Sequence, residues 1–252
     1  MRGNEAFAEK AKNWTNEMSS RYSFLISKSI KGTVTYGGSG KEVAQAWAED
    51  KFSTEIILSD CDSVSAVMEF NEGKTALLNF ASYKNPGGRF IDGMMAQEEA
   101  ICHESFLYNV LRENMVYYME NRESLNGGFY TNRALYTPDV LFREQLSCDV
   151  ITCAAPNASR MIRYKTGEED KNLRCLAERI LFIMNIAAEQ KVDTLILGAF
   201  GCGVFKQNPR TVAAMFNCAI NQTHKGLFKK VVFAIPNKNS DNYKAFEEAF
   251  KQ

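Results

Sequence analysis

Glu98 and Glu99 stand side by side shortly after a Gly87-Gly88 pair, and no other stretch of the chain is as well suited to chemistry. A carboxyl group beside a sugar can protonate a departing oxygen and then activate water. Paired glycines permit positive φ and let backbone approach a ligand closely. Backbone N–H groups at a loop leading into a helix favour an anion. Two carboxylates at the same place suggest a task beyond holding phosphate. Neighbouring helical residues lie about 100° apart around the axis, so the pair is expected not to point at one atom. One glutamate would then grip hydroxyls while the other faces a scissile bond. The competing reading is an acidic first turn that complements the helix dipole. A helix start also stabilises a carboxylate, against an acid role, unless burial with substrate restores its hold on a proton.

The elements around this stretch read clearly. Ala76 to Phe80 is an apolar run without alternation, as expected of a strand covered on both faces. It stops at Asn85-Pro86-Gly87-Gly88-Arg89, and a helix from Gln97 to Asn114 follows, with Ala100, Ile101, Leu107, Val110 and Leu111 at helical spacing. A second glycine turn, Gly201-Cys202-Gly203-Val204-Phe205, lies between a strand at Thr194–Leu197 and a helix opening at Pro209. It lacks the third glycine of a dinucleotide fingerprint. Ligands of open α/β sheets bind outside the carboxyl ends of strands, so the two turns are expected to converge on one crevice. Phe205 would stack on a ring or fill the core.

Two other candidates fail. Gly37-Gly38-Ser39-Gly40-Lys41 hints at a phosphate loop, but Thr35 occupies the first glycine position and Glu42 follows the lysine. It reads as a turn between a strand at Lys31 to Tyr36 and a helix at Glu42 to Phe52. Cys102-His103 invites a nucleophile–base pair, but adjacent helical residues diverge and the two must meet to act.

The rest of the chain frames these motifs. Its 252 residues suit one large domain, or a domain with an appended segment, and 45% apolar content supplies a sizeable core. Lys+Arg and Asp+Glu are 30 each, which argues against a broad nucleic-acid footprint. No apolar run spans a bilayer, and the N-terminus leads into a charged amphipathic helix over residues 4 to 20 (Phe7, Ala11, Trp14, Met18) and not a signal peptide. Seven scattered cysteines without a C-x-x-C pair suggest free thiols in a reducing cytoplasm. With only His103 and His224, a zinc site is not expected. From Thr54 onward strand and helix alternate: a strand at Thr54 to Leu58, a helix capped by Asp60 or Asp62, and a strand at Val150 to Ala155. A helix from Glu169 to Gln190 (Leu173, Leu176, Ile180, Leu181, Met184, Ala187), a strand at Lys230 to Ile235 and a final helix capped by Ser240 or Asp241 complete the pattern. Residues 115 to 147 read as loops and short strands. The expected architecture is a mixed sheet between helix layers, α/β/α.

Asn79-Phe80-Ala81-Ser82, Asn85-Pro86-Gly87-Gly88 and Gln97-Glu98-Glu99-Ala100 resemble the signature of microbial-type poly(ADP-ribose) glycohydrolases, enzymes built on the macrodomain fold. Tyr136 to Val140, Ile151-Thr152 with Ala155-Pro156-Asn157, and Gly198 to Phe205 are similar to further family blocks, in family order. The resemblance implies an N-terminal helical accessory segment at 1–53 and a catalytic macrodomain at 54–252. It implies hydrolysis at the anomeric carbon of ADP-ribose in polymer or ADP-ribosylated targets, without metal or cofactor. Glu99 would be the acid/base and Glu98 the holder of the distal ribose hydroxyls. Gly87-Gly88 would lie against diphosphate and ribose, with Asn85 shaping that loop and Gln97 contributing beside the pair. Gly201, Cys202, Gly203 and Val204 would form the second diphosphate loop, with Phe205 on the ribose. Arg89 replaces the third glycine of the signature, where it would either obstruct the loop or grip phosphate. A macrodomain that binds ADP-ribose without cleaving it, and a hydrolase acting on a single ADP-ribose on protein or nucleic-acid base, are the alternatives.

Overall fold

The computed structural model describes residues 4–49 and 51–251; Met1 to Gly3, Asp50 and Gln252 lie outside the described residues. In chain order the elements are α1 (Glu5–Gly32), β1 (Val34–Tyr36), β2 (Glu55–Ser59), α2 (Ser63–Phe70), β3 (Thr75–Phe80), α3 (Gln97–Glu104), α4 (Leu107–Leu111) and α5 (Met115–Glu123). There follow β4 (Ala134–Leu141), β5 (Ser147–Cys153), α6 (Ser159–Tyr164), α7 (Glu169–Glu189), β6 (Thr194–Leu197), α8 (Pro209–Cys218), β7 (Lys230–Ala234) and α9 (Asp241–Phe250).

One sheet holds the strands in the order β1-β4-β5-β3-β6-β7-β2. From β5 through β3, β6 and β7 to β2 every pairing is parallel, while β4 and β1 add antiparallel strands at one edge. Successive side chains of a strand face opposite sides, and the core divides accordingly. Leu78, Ile151, Leu195, Val231 and Phe233 pack with residues of α7, α8 and α9. Leu77, Val150, Ile196 and Val232 pack with residues of α1 to α5. The expected mixed sheet between helix layers is therefore present, and β3 is buried on both faces, as its unbroken apolar run requires.

Local signals placed several boundaries. Asp62 caps α2 by accepting from the N–H groups of Val64 and Ser65, Asn208 caps α8 ahead of Pro209, and Ser240 caps α9. Tertiary contacts moved others. Helix α1 runs twelve residues past Ser20 to Gly32, kinked at Tyr22, and takes up Lys31 and Gly32 of the expected first strand. Phe7, expected on its buried face, is 37% exposed, as is Leu173 of α7 at 41%. The helix expected at Glu42 to Phe52 does not form over the described part. The N–H groups of Ala46, Glu49 and Phe52 are taken by Asn185, Lys225 and Gly226. The helix expected from Gln97 to Asn114 breaks at Ser105-Phe106, where Trp14 donates its indole N–H to the Ser105 carbonyl and Ser105 bridges Phe142. Within 115–147 the chain forms α5 and the eight-residue β4 instead of loops and short strands alone.

Candidate active site

Strands β3, β5 and β6 are parallel neighbours, so the segments that leave their carboxyl ends share one rim of the sheet. The Asn85–Arg89 turn follows β3 and the Gly201–Phe205 turn follows β6, so both glycine turns leave the same rim of the sheet. An ideal Cβ on Gly201 would sit 2.6 Å from the Ala155 side chain, so the segment after β5 also meets this rim.

Along the second turn and the start of α3 runs a groove in two connected parts, whose walls include neither the Asn85–Arg89 turn nor Glu98 and Glu99. The wide part, about 410 Å³, passes from Asp62–Val64 and Asn242 over Pro236 and Phe80 to Met95 and Gln97. The narrow part, about 170 Å³, shares Phe80, Ala96, Gln97, Ala199 and Gly203 with the wide part and ends against Ala155, Gly201, Val204 and Phe205. Two hollows of 540 and 550 Å³ lie elsewhere, between α1 and Phe142–Gln145 and between residues 44–52 and the end of α7. Neither touches the glycine turns or the start of α3.

Helix α3 is fixed to the end of β3 by Gln97. Its carbonyl oxygen accepts from the Phe80 N–H (2.8 Å), and its amide donates to the Leu78 carbonyl (2.9 Å) and Ser63 hydroxyl (3.0 Å). Gln97 thus lines the groove while its polar atoms clamp helix to strand. Glu99 is 7% exposed. One of its oxygens accepts from the Arg89 N–H (2.9 Å) and the other from the Ala96 N–H (3.0 Å), so both ends of the connecting loop hold one carboxylate. Glu98, 3% exposed, accepts from the Ser82 N–H (2.7 Å) and the Asn79 amide (3.3 Å).

The two carboxylates nonetheless converge, contrary to the expectation from helix geometry. An ideal Cβ on Gly88 would lie 2.5 Å from Glu99 Oε1 and 2.9 Å from Glu98 Oε2. Radial spacing around the axis misled because side chains in a first turn reach back over the preceding loop, and Gly88 sits between them. Gly88 has φ +62° and Gly87 φ +64°, where a side chain at 87 would strike the Tyr108 ring at 2.7 Å. Both positions therefore need glycine. Arg89, by contrast, has φ −120°, open to any residue, and its guanidinium pairs with Asp92 at 3.0 Å. An arginine at the third glycine position thus puts no strain on the loop. Asn85 accepts the Gly88 N–H through its carbonyl (3.1 Å) and donates its own to the Ser82 hydroxyl, closing the turn.

In the second turn Gly201 has φ +76°, while Gly203 has no protein atom within 4 Å of an added Cβ and so leaves open space for a ligand. Val204 is 72% exposed. Phe205 is half-buried and meets the Tyr130 ring edge-on at 6.0 Å; Tyr130 in turn stacks on Tyr83 of the first turn at 4.1 Å. Burial pushes the Cys202 thiol up to about 12, away from nucleophilic use. Cys102 is buried beneath Gly87 and His103 against Phe90, in separate surroundings, so they form no dyad.

Burial pushes the Glu98 carboxyl up to about 8, with the nearby Glu99 adding to the shift against hydrogen bonds from Ser82 and Asn79 that lower it. Glu98 therefore favours its protonated form at neutral pH. A folded-state value above the ordinary 4.5 costs stability as pH rises from about 4.5 through about 8, where the unfolded chain has released a proton the fold retains. Glu98→Gln is expected to remove that slope. The melting temperature of the unaltered protein should fall more steeply than the variant's between about pH 5 and about pH 8. Parallel curves would show that Glu98 holds no such proton.

Sequence reasoning gave no site role to the walls of the wide part (Asp62–Val64, Met95, Ala199, Pro236, Asn242) or to the residues that hold Glu98 (Asn79, Ser82), although Asn79, Ser82 and Ala199 fall within the motifs of the family resemblance. Position was a further signal, because Asp62, Ser82, Ala199 and Pro236 all lie just beyond the carboxyl ends of parallel strands.

A family profile described as Microbial-type PARG, catalytic domain, matches residues 7–144. The chain is similar to the poly(ADP-ribose) glycohydrolase of Thermomonospora curvata, with a TM-score of 0.84 and 25% identity, covering 98% of this chain and 100% of that one. It is also similar to the Deinococcus radiodurans enzyme in complex with ADP-ribose, with a TM-score of 0.80 and 28% identity over 90% and 97% of the two chains. The Thermomonospora curvata enzyme bound to the inhibitor ADP-HPD superposes with a TM-score of 0.81 at 25% identity, over 98% of this chain and 100% of that one. No curated protein matches the chain.

Proposed function

The chain belongs to the microbial-type poly(ADP-ribose) glycohydrolase family, and from that premise we propose how its groove binds and cuts ADP-ribose. It is an ADP-ribose glycohydrolase. The base lies in the wide, mostly apolar part of the groove, and the diphosphate lies between Gly87-Gly88 and the Gly201–Val204 turn. The terminal ribose occupies the narrow end, beside Phe205 and the glutamates. Glu99 gives a proton to the departing oxygen as positive charge develops on the anomeric carbon, then takes one from the water that attacks it. Glu98 holds the ribose hydroxyls. An anionic substrate beside two close carboxylates favours keeping a proton on the pair.

The convergence of both carboxylates on Gly88, with Glu99 fixed by backbone from either end of its loop, carries this reading. Only one carboxylate works in the scheme, and the substrate diphosphate supplies the negative charge that a second provides in many glycosidases. The binder-only alternative rested on Arg89, and the ordinary backbone of that residue speaks against distortion of the loop. Residues 1–53 act as an accessory segment: Asn4 and Ala8 of the α1 start press on Gly93, in the loop that holds Glu99. No helix among the described residues is long and apolar enough to cross a membrane, and the seven cysteines are all free, which fits a reducing cytoplasm.

The test is incubation of the purified protein with poly(ADP-ribose) and with mono-ADP-ribosylated protein, reading free ADP-ribose. Release from polymer is expected. Binding of ADP-ribose with no release from either substrate would return the protein to a reader.

A further inference from the structure

The narrow end of the groove leads directly to an exposed basic and aromatic surface. Ala155 lines the groove, and four residues later α6 begins, tied to the second glycine turn by the Ala158 N–H on the Phe205 carbonyl (2.9 Å). The segment also touches the 125–130 loop, where the Asn157 N–H donates to Gly128 (3.0 Å). Met161 alone of the helix is buried, against Phe129 and Ala158. Arg160 and Arg163 are exposed, as is Lys165 just beyond the helix; Ile162 is 54% and Tyr164 65% exposed. From Ala154 to Gly167 the chain has these three cations and no acid, within a protein of zero formal charge. None of the three makes an ion pair among the described residues. The acids that follow are Glu168, held by Thr166 and Lys171 and also within the field of Arg160, and the exposed Glu169 and Asp170 at the start of α7.

We infer that α6 is a second subsite, which receives the neighbouring ADP-ribose unit of a polymeric substrate. This rests on the groove reading above. With the base at the wide end and the reacting ribose at the narrow end, the bond to be cut points out past Phe205, and the leaving chain must cross the surface that begins there. An ADP-ribose unit offers a diphosphate and a flat base. Arg160 and Arg163 match the diphosphate, since a guanidinium fork pairs with phosphate oxygens. Tyr164, one turn on from Arg160, offers an uncovered face for the base, and ring stacking with adjacent cations is how unpaired nucleotides are held. The acceptor side of the cut bond, and with it the preference for polymer over a single unit, is therefore set by α6.

The experiment compares affinities for ADP-ribose and for long-chain poly(ADP-ribose) in the Glu99→Gln protein, with and without Arg160→Glu and Arg163→Glu. Glu99→Gln keeps the polymer intact during the measurement. Reversing both exposed charges is expected to weaken polymer binding about ten-fold or more, the loss of two charge-assisted contacts, with a shallower salt dependence. ADP-ribose affinity and melting temperature should stay unchanged, because neither arginine borders the groove. Tyr164→Ala should weaken polymer binding in the same selective way. Equal loss for both ligands, or no loss for polymer, would overturn the subsite while leaving the groove reading intact. Failure of ADP-ribose itself to bind would overturn both.

Discussion

Glu99→Gln is expected to bind ADP-ribose nearly as well as the unaltered protein and to lose about 10²- to 10⁴-fold in kcat on poly(ADP-ribose), the usual worth of a positioned acid/base. The substitution keeps shape and one of the two acceptor contacts: the glutamine oxygen takes either the Arg89 or the Ala96 N–H, and its NH2 faces the other donor. It cannot give up and regain a proton. Measured KM should move little, which separates this loss from one of uniform binding. A kcat within a few-fold of the unaltered protein, with no change in KM, would move the acid/base role to Glu98.

Gly88→Ala should damage both fold and activity. At φ +62° a side chain is strained by roughly 1–3 kcal/mol, and here the methyl would also lie 2.5 Å from one catalytic oxygen and 2.9 Å from the other. Either the loop or the glutamates must shift, and a displacement of about 1 Å in a catalytic group can cost about 10²-fold in rate. Gly203→Ala is the matching control. Its methyl meets no protein atom within 4 Å, so the melting temperature should hold while ADP-ribose binding weakens if the diphosphate lies there. Thermal melts and ADP-ribose titrations of the two variants separate a glycine kept for the protein from one kept for the ligand. An active, stable Gly88→Ala protein would contradict the crowded geometry at this turn.

Much of this was legible where local chemistry decides. The continuous apolar run of β3 announced a strand buried on both faces, and Pro209 announced the start of α8. The two glycine turns could be placed on one rim because each follows a parallel strand. What escaped was decided at a distance. Leu107, Val110 and Leu111 continue the helical spacing of α3, yet the helix breaks where the indole of Trp14, far away in sequence, takes the Ser105 carbonyl. Pro138-Asp139, in the stretch read as loops and short strands, lies within the eight-residue β4, where the pairing with β5 shifts register and Asp139 adopts φ +54°. The segment after Lys41 has helix-compatible residues whose N–H groups are claimed by α7 and the 225–226 turn. The meeting of Glu98 and Glu99 at Gly88 depends on where a loop folds back, which no spacing along a helix reveals.

The most direct measurement is a crystal structure of the Glu99→Gln protein with ADP-ribose. The account predicts the diphosphate between Gly87-Gly88 and the Gly201–Val204 turn, with the anomeric carbon facing residue 99 and the ribose hydroxyls on Glu98. A ligand bound the other way round, with its base at Phe205, or seated away from the two turns, would contradict it.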